Sequence, residues 1–520
     1  MGGTMNLDFY RGENSNLELV LRGGLDMYGQ QSRAIFPKAL QFQKPSNGGL
    51  NGVSVQGDTQ NKNYNLSAFL VHNYFTDSDI NFRTQAGLTN ERFDRDTKLV
   101  TATGLVASET NVDQAANTGV VQTRVKQEDA GFFAQEEVNF QDKFIATVGI
   151  RGDKSSNNGD ANAYNYYPKG SLAVNLNEFG FWNEGGTWSQ FKLRAAYGEA
   201  GNFPPFGALF TSYGAFSTDG LLGISLRGVR GDKEINSERQ KELEFGTDLG
   251  FFNGRLDFSA TYYIKTVDDL ILQSQLPPST GFTTEFVNAG ELQNKGIELS
   301  LNATPIVNDN FEWNIGVNWF KNTSEITRLD VEPFNIGAFG ATLGTYRIEE
   351  GSSATQIVGI GPNLGPNGFQ VFGDAEPDFQ MGVNNNLRWK NIDLSFLWQW
   401  KSGGDNINLT ALLTDLNGTS HDYDTIDLDP EGQLGNGPYR VSQLGSSAEV
   451  FVEDASYVRL REIGLYYTLE SKMLGNVIDE QSIQYESDSQ EQMFLTSSTT
   501  IAMILKCQTL EEELFLQVLK

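Results

Sequence analysis

Apolar and polar residues alternate one by one through long stretches of this chain. In 255–266, RLDFSATYYIKT, Leu256, Phe258, Ala260, Tyr262 and Ile264 fall on one side, and Asp257, Ser259, Thr261, Tyr263 and Lys265 on the other. In 243–251, Leu243, Phe245, Thr247, Leu249 and Phe251 oppose Glu244, Gly246, Asp248 and Gly250. Three further segments repeat the pattern: 295–303 on Ile297, Leu299 and Leu301; 312–320 on Trp313, Ile315, Val317 and Trp319; and 391–401 on Ile392, Leu394, Phe396, Trp398 and Trp400. A period of two predicts strands with one apolar and one polar face. A soluble sandwich, its apolar faces turned inward, alternates in the same way.

Three features separate a membrane barrel from a sandwich. The strands run about 9–12 residues, against about 5–6 in globular sheets and the 9–11 tilted residues that cross a bilayer. Five of the seven Trp, namely Trp313, Trp319, Trp389, Trp398 and Trp400, stand on apolar faces near strand ends. Rings with one polar edge favour the headgroup level, so these five are candidate girdle residues. Short connections (11–16, 76–79, 141–142, 252–254, 304–311, Asn391) alternate with long polar ones (27–63, 92–130, 152–168, 199–242, 267–294, 321–378, 402–456). That parity fits periplasmic turns and extracellular loops.

The reading gives roughly fifteen strands, at about 5–10, 17–26, 64–75, 80–91, 131–140, 143–151, 169–176, 191–198, 243–251, 255–266, 295–303, 312–320, 379–389, 391–401 and 457–468. The loop at 92–130 has room for further β-structure. The last strand changes parity between Leu460 and Ile463, which predicts a bulge with an extra residue near Arg461.

Composition narrows the partners. The chain has 520 residues, 66 acidic against 38 basic, and a formal net charge of −28. An acidic chain does not suit nucleic acid, whose phosphates require clustered Lys and Arg. One Cys excludes a disulfide framework or a zinc ribbon. No stretch approaches the roughly 18–20 apolar residues of a membrane helix, which leaves a barrel open. The first residues show no signal-peptide pattern.

At this point the sequence resembles a known family. KLRAAYGEAGN (192–202), ERQKELEFGTDLGFFNGRLDFSATYYIKTVDDLIL (238–272) and LPPSTGFTTEFVNAGELQNKGIELSL (276–301) look like consecutive blocks of SusC/RagA TonB-dependent outer-membrane transporters. WNIGVNWFKNTSEI (313–326), FGDAEPDFQMGVNNNLRWKNIDLSF (372–396) and VEDASYVRLREIGLYYTL (452–469) continue the series. The resemblance covers most of 1–480 in family order. It implies an all-β fold, a transmembrane antiparallel β-barrel in the bacterial outer membrane, here roughly fifteen of twenty-two strands. It also implies import of glycans, oligosaccharides or peptides with two partners. A SusD-like surface lipoprotein acts as a lid, and the TonB complex pulls on a plug inside the barrel.

The match has departures. The plug, the TonB box and a leader expected of the family are not seen, so residues 1–480 read as a partial barrel. The segment 481–520 reads as a non-barrel tail. It holds Cys507, and its apolar spacing from about Ile501 predicts helix, with TLEEELFLQVLK following a Thr509 cap. A frameshifted or misjoined gene end accounts for such a tail.

Candidate chemistry is sparse, and the chain reads as a non-enzyme without cofactor or metal. Its two His, His72 and His421, are far apart and belong to no zinc or triad motif. GIGPNLGPNG (359–368) has the wrong spacing for a dinucleotide fingerprint and reads as a loop. The acidic run at 421–432 offers oxygens for calcium but lacks EF-hand spacing, and solvated loops carry such runs too. Tyr213 and Phe216 in LFTSYGAFSTDG are the candidate ligand-stacking aromatics, against the simpler reading of a loop cluster packing on itself. An adhesive surface barrel and an outer-membrane enzyme are the alternative functions. The gene-end expectation has a direct check. Translation of the genomic DNA past codon 480 in all three frames should restore about two alternating segments of about ten residues. If no frame does so, the tail is genuine.

Overall fold

The computed structural model describes residues 1–37, 52–106, 109–182, 187–218, 221–337, 340–468 and 500–506. Strands dominate. The main sheet contains β1 (Gly2–Arg11), β2 (Ser15–Phe36), β3 (Val53–Phe75), β4 (Ile80–Leu105), β5 (Ala115–Phe140) and β6 (Phe144–Ser155). It continues with β7 (Asn165–Asn175), β8 (Trp188–Asn202), β9 (Glu238–Phe251), β10 (Leu256–Asp268) and β11 (Gly290–Val307). It ends with β12 (Phe311–Leu329), β13 (Phe379–Trp389), β14 (Ile392–Ser402), β15 (Tyr457–Thr468) and β16 (Thr500–Lys506). Neighbours in chain order are neighbours in the sheet throughout. This up-and-down antiparallel order is that of an outer-membrane barrel wall.

All fifteen strands expected from alternation are present, as β1 to β15. So is the bulge. Leu397 pairs with Glu462 and Trp398 with Leu460, so Arg461 is the extra residue. It donates through Nε to Gln399 Oε1 at 2.5 Å. The short turns adopt the left-handed backbone that tight hairpins require. Gln141 and Asp142 have φ of 52° and 54°, and Phe252 and Asn253 have 55° and 56°. Asn139 braces its turn, accepting from the Asp142 N–H at 2.9 Å.

Two expectations need correction. Much of 27–63 is strand rather than long loop, and 92–130 holds the further β-structure for which it has room. β2 and β3 pair out to Phe36 and Val53, and β4 and β5 pair out to Leu105 and Ala115. Past the lipid a strand is wet on both faces, so the polar–apolar alternation fades while the backbone pairing continues. Cross-strand side chains hold these extensions. Arg95 donates to Asn61 at 2.9 Å, Thr59 and Thr97 bond at 3.2 Å, and Arg124 pairs with Asp96 at 3.1 Å.

The second correction concerns the tail read as helix from about Ile501. Thr500–Lys506 is a strand, antiparallel to β15, with Tyr467 opposite Ile501 and Glu462 opposite Lys506. A short apolar run fits helix and strand equally by periodicity, and the unpaired edge of β15 decides for the strand. Cys507 and the segment from Thr509 lie outside the described residues.

The chain comprises two compact units. The first is Met1–Leu172, Tyr197–Lys241 and Asp268–Ala289; the second is Ala173–Ala196, Glu242–Val267 and Gly290–Lys520. In the first, Ala208, Leu209 and Ile235 form a small loop core with Ile271 and Phe286 against it. A hairpin of Tyr213–Thr218 and Leu221–Leu226 and a three-stranded sheet of Val229–Arg230, Thr284–Asn288 and Ile271–Gln275 also belong to its loops. The loops of the second carry a four-stranded sheet (Phe334–Ile336, Thr345–Ile348, Gln356–Gly359, Gln370–Asp374) and two helices, α1 (Leu409–Leu416) and α2 (Asn436–Ser442).

In the second unit the pairing register assembles the apolar face row by row. Trp319, Met381, Trp400 and Val458 form one row, and Val317, Val383, Trp398 and Leu460 the next. Ile315, Asn385, Phe396 and Ile463 follow, then Trp313, Leu387, Leu394 and Leu465. Asn385 is the one polar member, buried, and it accepts from the Trp313 indole N–H at 3.1 Å. Trp389, Trp398 and Trp400 are 55%, 40% and 42% exposed, a degree that a water-facing sheet would hide and a lipid-facing one need not.

The alternating connections predict sidedness. Cysteines placed at Asn253 and Ser420 should respond differently to an impermeant thiol reagent on whole cells, with Ser420→Cys labelled and Asn253→Cys protected. The opposite labelling would invert the topology.

Candidate functional site

The polar face of the second unit presents a recess of about 830 Å³. Alternation places Arg194, Glu244, Ser259, Thr261, Tyr263, Lys265, Glu298 and Phe320 along it. Arg194 is held by its neighbours on β9 and β10. It donates to Thr261 Oγ1 at 2.7 Å and Ser259 Oγ at 3.2 Å and pairs with Asp248 at 3.4 Å. Ser259 in turn donates to Asp248 at 2.7 Å.

Tyr263 crosses to the adjacent strand. A Cβ built on Gly296 would lie 2.3 Å from the Tyr263 ring, so only glycine leaves room for the ring there. The hydroxyl donates to Asn322 Oδ1 at 2.9 Å. Asn322 bonds Glu376, which accepts from the Ser324 N–H at 2.9 Å and from its hydroxyl at 3.1 Å. Thr355 donates to Asp374 Oδ1 at 2.6 Å, and the Glu376 N–H donates to the same oxygen at 2.9 Å. A hydrogen-bonded series thus runs from the wall into the loop preceding β13. The wall is mixed in charge and dense in donors and acceptors, suited to sliding contact with a hydrated solute.

A second ordered centre lies in the loop between β14 and β15. Arg440 on α2 donates to Asp415 at 2.6 and 2.8 Å and to Asp422 at 2.8 Å through both Nη1 and Nη2. The Arg440 side chain is 6% exposed and that of Asp415 0%. Burial pushes the Asp415 carboxyl up, but the hydrogen bonds from Arg440 and Ser420 outweigh it and hold it below its ordinary value. Arg440, helped by Asn436, holds Asp422 well below its own. Asp422 belongs to the acidic run 421–432 that offered oxygens for calcium, and the fold commits it to a guanidinium. Asp429 accepts backbone N–H groups of Glu431, Gln433 and Leu434. Among the described residues no cluster of three or more His, Cys, Asp or Glu is placed to hold a metal.

The remaining candidates fall as follows. His72 bonds Ser15 at 2.9 Å, and the His421 side chain is 96% exposed. Tyr213 and Phe216 share the strand Tyr213–Thr218 but differ in parity, so they present on opposite faces of the hairpin. Tyr213 is opposite Leu226, while the Phe216 ring lies over Gly223. Sequence reasoning missed Arg194, Tyr263 and Arg440 as organising residues. The glycine opposite Tyr263 is the one signal of them in the sequence, and it is legible only once the register is known.

Comparison with known proteins decides the family. The model for the TonB dependent receptor-like β-barrel matches residues 3–411. The chain belongs to that family. TonB-dependent receptor barrels are outer-membrane proteins. TonB-dependent receptor P3 of Formosa agariphila is 26% identical over 82% of this chain and 48% of its own length. TonB-dependent receptor SusC of Bacteroides thetaiotaomicron is 22% identical over 65% of this chain and 38% of its own. The chain thus spans about half the length, or less, of these receptors. The structure of the RagAB peptide transporter superposes with a TM-score of 0.72 at 16% identity, over 92% of this chain and 56% of that one. That likeness is one of fold.

The Arg440 centre yields a prediction. Arg440→Met leaves Asp415 buried and unpaired and should destabilise the 405–454 loop locally by about 3–5 kcal/mol, read as faster proteolysis and hydrogen exchange there. Both carboxyls are depressed, so their contribution is complete above their unfolded pKa near 4 and is lost as pH falls through the lower folded values. Acidification below about pH 4 should therefore loosen this loop in the parent protein. In Arg440→Met the effect should reverse in sign, because protonation relieves the unpaired buried Asp415 carboxylate.

Proposed function

We propose that this chain is barrel wall of a SusC/RagA-type importer that carries glycans, oligosaccharides or peptides across the outer membrane. The observation that carries the reading is the division of each strand's residues. In the second unit four rows of side chains are apolar but for Asn385, and the opposite face is a hydrogen-bonding wall around a wide recess. A lipid-facing outside and a water-facing inside require that division. The family, the SusC likeness in sequence and the RagAB likeness in fold point the same way.

In this reading a SusD-like lipoprotein covers the outer mouth and the TonB complex acts through a plug. Trp313 and Trp389 stand at the short-turn ends of β12 and β13. Trp319 is six residues along β12, roughly 20 Å at about 3.3 Å per residue. We assign Trp313 and Trp389 to one aromatic girdle and Trp319, Trp398 and Trp400 to the other. Tyr213 and Phe216, one on each hairpin face, are proposed to stack on cargo singly rather than as a pair.

Uptake by cells carrying the gene tests the reading. Accumulation of a fluorescent oligosaccharide or peptide should depend on the gene and collapse with a protonophore, since TonB draws on the proton gradient. Gene-dependent surface binding without energy-dependent entry would favour the adhesive alternative.

A further inference from the structure

The outward face of the first unit changes character row by row, and the pairing register shows where. Two rows are apolar but for a glycine: Leu19, Leu70, Ala86, Ala134 and Ile150, then Leu21, Ala68, Leu88, Phe132 and Gly152. Leu66 and Leu88 are 61% and 65% exposed, a degree suited to lipid contact. The same face continues away from the short turns. Gly23, Leu66, Asn90, Ala130 and Lys154 form the next row, and Leu25, Tyr64, Arg92 and Glu128 the one after. Met27, Lys62, Asp94 and Lys126 follow, then Gly29, Gln60, Asp96 and Arg124. Aromatic rings mark the level at which the change occurs. Tyr64 is exposed on this face, the Phe132 and Tyr164 rings lie 5.4 Å apart, and Lys154 Nζ stands 5.3 Å from the Tyr164 ring centre. Rings with a polar edge collect at the headgroup layer.

From that level outward the charge balance is positive, in a chain of net charge −28. The cations on these rows are Lys154, Arg92, Lys62, Lys126 and Arg124, and the anions are Glu128, Asp94 and Asp96. The arginines take the carboxylates. Arg92 lies 3.2 Å from Asp94 and 3.6 Å from Glu128, and Arg124 lies 3.1 Å from Asp96. Lys62, Lys126 and Lys154 make no ion pair among the described residues. Asp94 shows why. Lys62 and Lys126 are its register partners on the two neighbouring strands, yet Arg92 donates to its Oδ2 from Nε and also pairs with it through Nη2, both at 3.2 Å. Such a fork holds a carboxylate more firmly than a lysine does. Two ammonium groups thus flank one committed carboxylate. Their strands are two apart, about 10 Å at about 4.8 Å per strand, a span that two lysyl side chains can close on one anion.

We propose that this face binds the phosphorylated sugar headgroup of the outer-leaflet glycolipid, with Lys62 and Lys126 on a phosphate and the acyl chains lying along Leu66, Leu88 and Phe132. A phosphate monoester brings between one and two negative charges and three acceptor oxygens, which meet the unpaired ammonium groups. A zwitterionic phospholipid offers no net charge to a face with a cation surplus. The apolar rows, the aromatic level and the lysines succeed one another along the strands in the order of acyl chain, interface and headgroup. The headgroup layer is hydrated, so the strands there remain polar on both faces. The site lies on the outside of the wall, on the face opposite the wall's polar side. It rests on the outer-membrane placement of the wall and not on import.

The test is lipid binding to the full chain in detergent micelles, read by native mass spectrometry. Diphosphoryl lipid A should bind at least tenfold more tightly than the same lipid after removal of its phosphates, and the preference should weaken with salt. Lys62→Gln with Lys126→Gln should lower lipid A affinity by at least tenfold, at about fivefold for each charge lost beside an anionic surface. Lys169→Gln, on the polar face beside Gly149, should leave it unchanged. Equal affinities for the two lipids would overturn the proposal, as would a double variant that binds like the original. So would phosphatidylglycerol binding as tightly as lipid A, the mark of a surface for any anionic lipid, or displacement by millimolar inorganic phosphate, the mark of a free-phosphate site. Should the double variant fail to fold, the lipid comparison and Lys126→Gln, at an exposed side chain, still decide. Binding in detergent needs neither cargo nor energy, so it can fail while import stands, and import can fail while it stands.

Discussion

Backbone amides inside a bilayer have no water to bond, and nearly everything in this structure follows from that. Each strand must satisfy its N–H and C=O groups on its neighbours. Once strands pair in fixed register, every side chain is committed to one of two faces. The row of Trp319, Met381, Trp400 and Val458 is therefore a product of register rather than of attraction among those residues. The same commitment explains Arg461. Without one unpaired residue there, the apolar parity of 463–467 would point the wrong way, and the bulge restores it.

The interior follows different physics. Freed from lipid, the polar face can hold charge, but a charge near a low-dielectric wall needs a partner. Arg194 finds Asp248, and Arg151 finds Asp153. Aromatic side chains on this face lie flat over glycines of neighbouring strands, as Tyr263 does over Gly296. Rigid pairs of this kind give the wall a fixed relief.

Much of this was legible in the sequence, for a physical reason. Period two, turn length and the Leu460–Ile463 parity change are local signals, and β1 to β15 together with the bulge at Arg461 could be read from them. What could not be read is non-local or indifferent to burial. The extensions of β2 to β5 have water on both faces, so no alternation announces them. The Arg440 centre brings together residues from α1, α2 and the run between them, and none of the three carries a pattern of its own. Tyr213 and Phe216 were nameable as exposed aromatics, but their opposite faces depend on the hairpin. Thr500–Lys506 carries an apolar run whose form was settled by a free edge rather than by its own spacing.

The wet extensions have an evolutionary corollary. β4 has 26 residues where a bilayer takes about 9–11. Its outer part and that of β5 form a ladder whose length is set only by where the tip turns. Residues can be gained or lost at that tip in matched numbers on the two strands, and no side chain nearer the membrane changes face. An unmatched residue would have to be absorbed as a bulge. Related receptors should therefore differ most in the reach of these ribbons, by paired steps, while the wall beneath stays in register. The ends of these ribbons can be rewritten without reopening the problem of crossing the membrane.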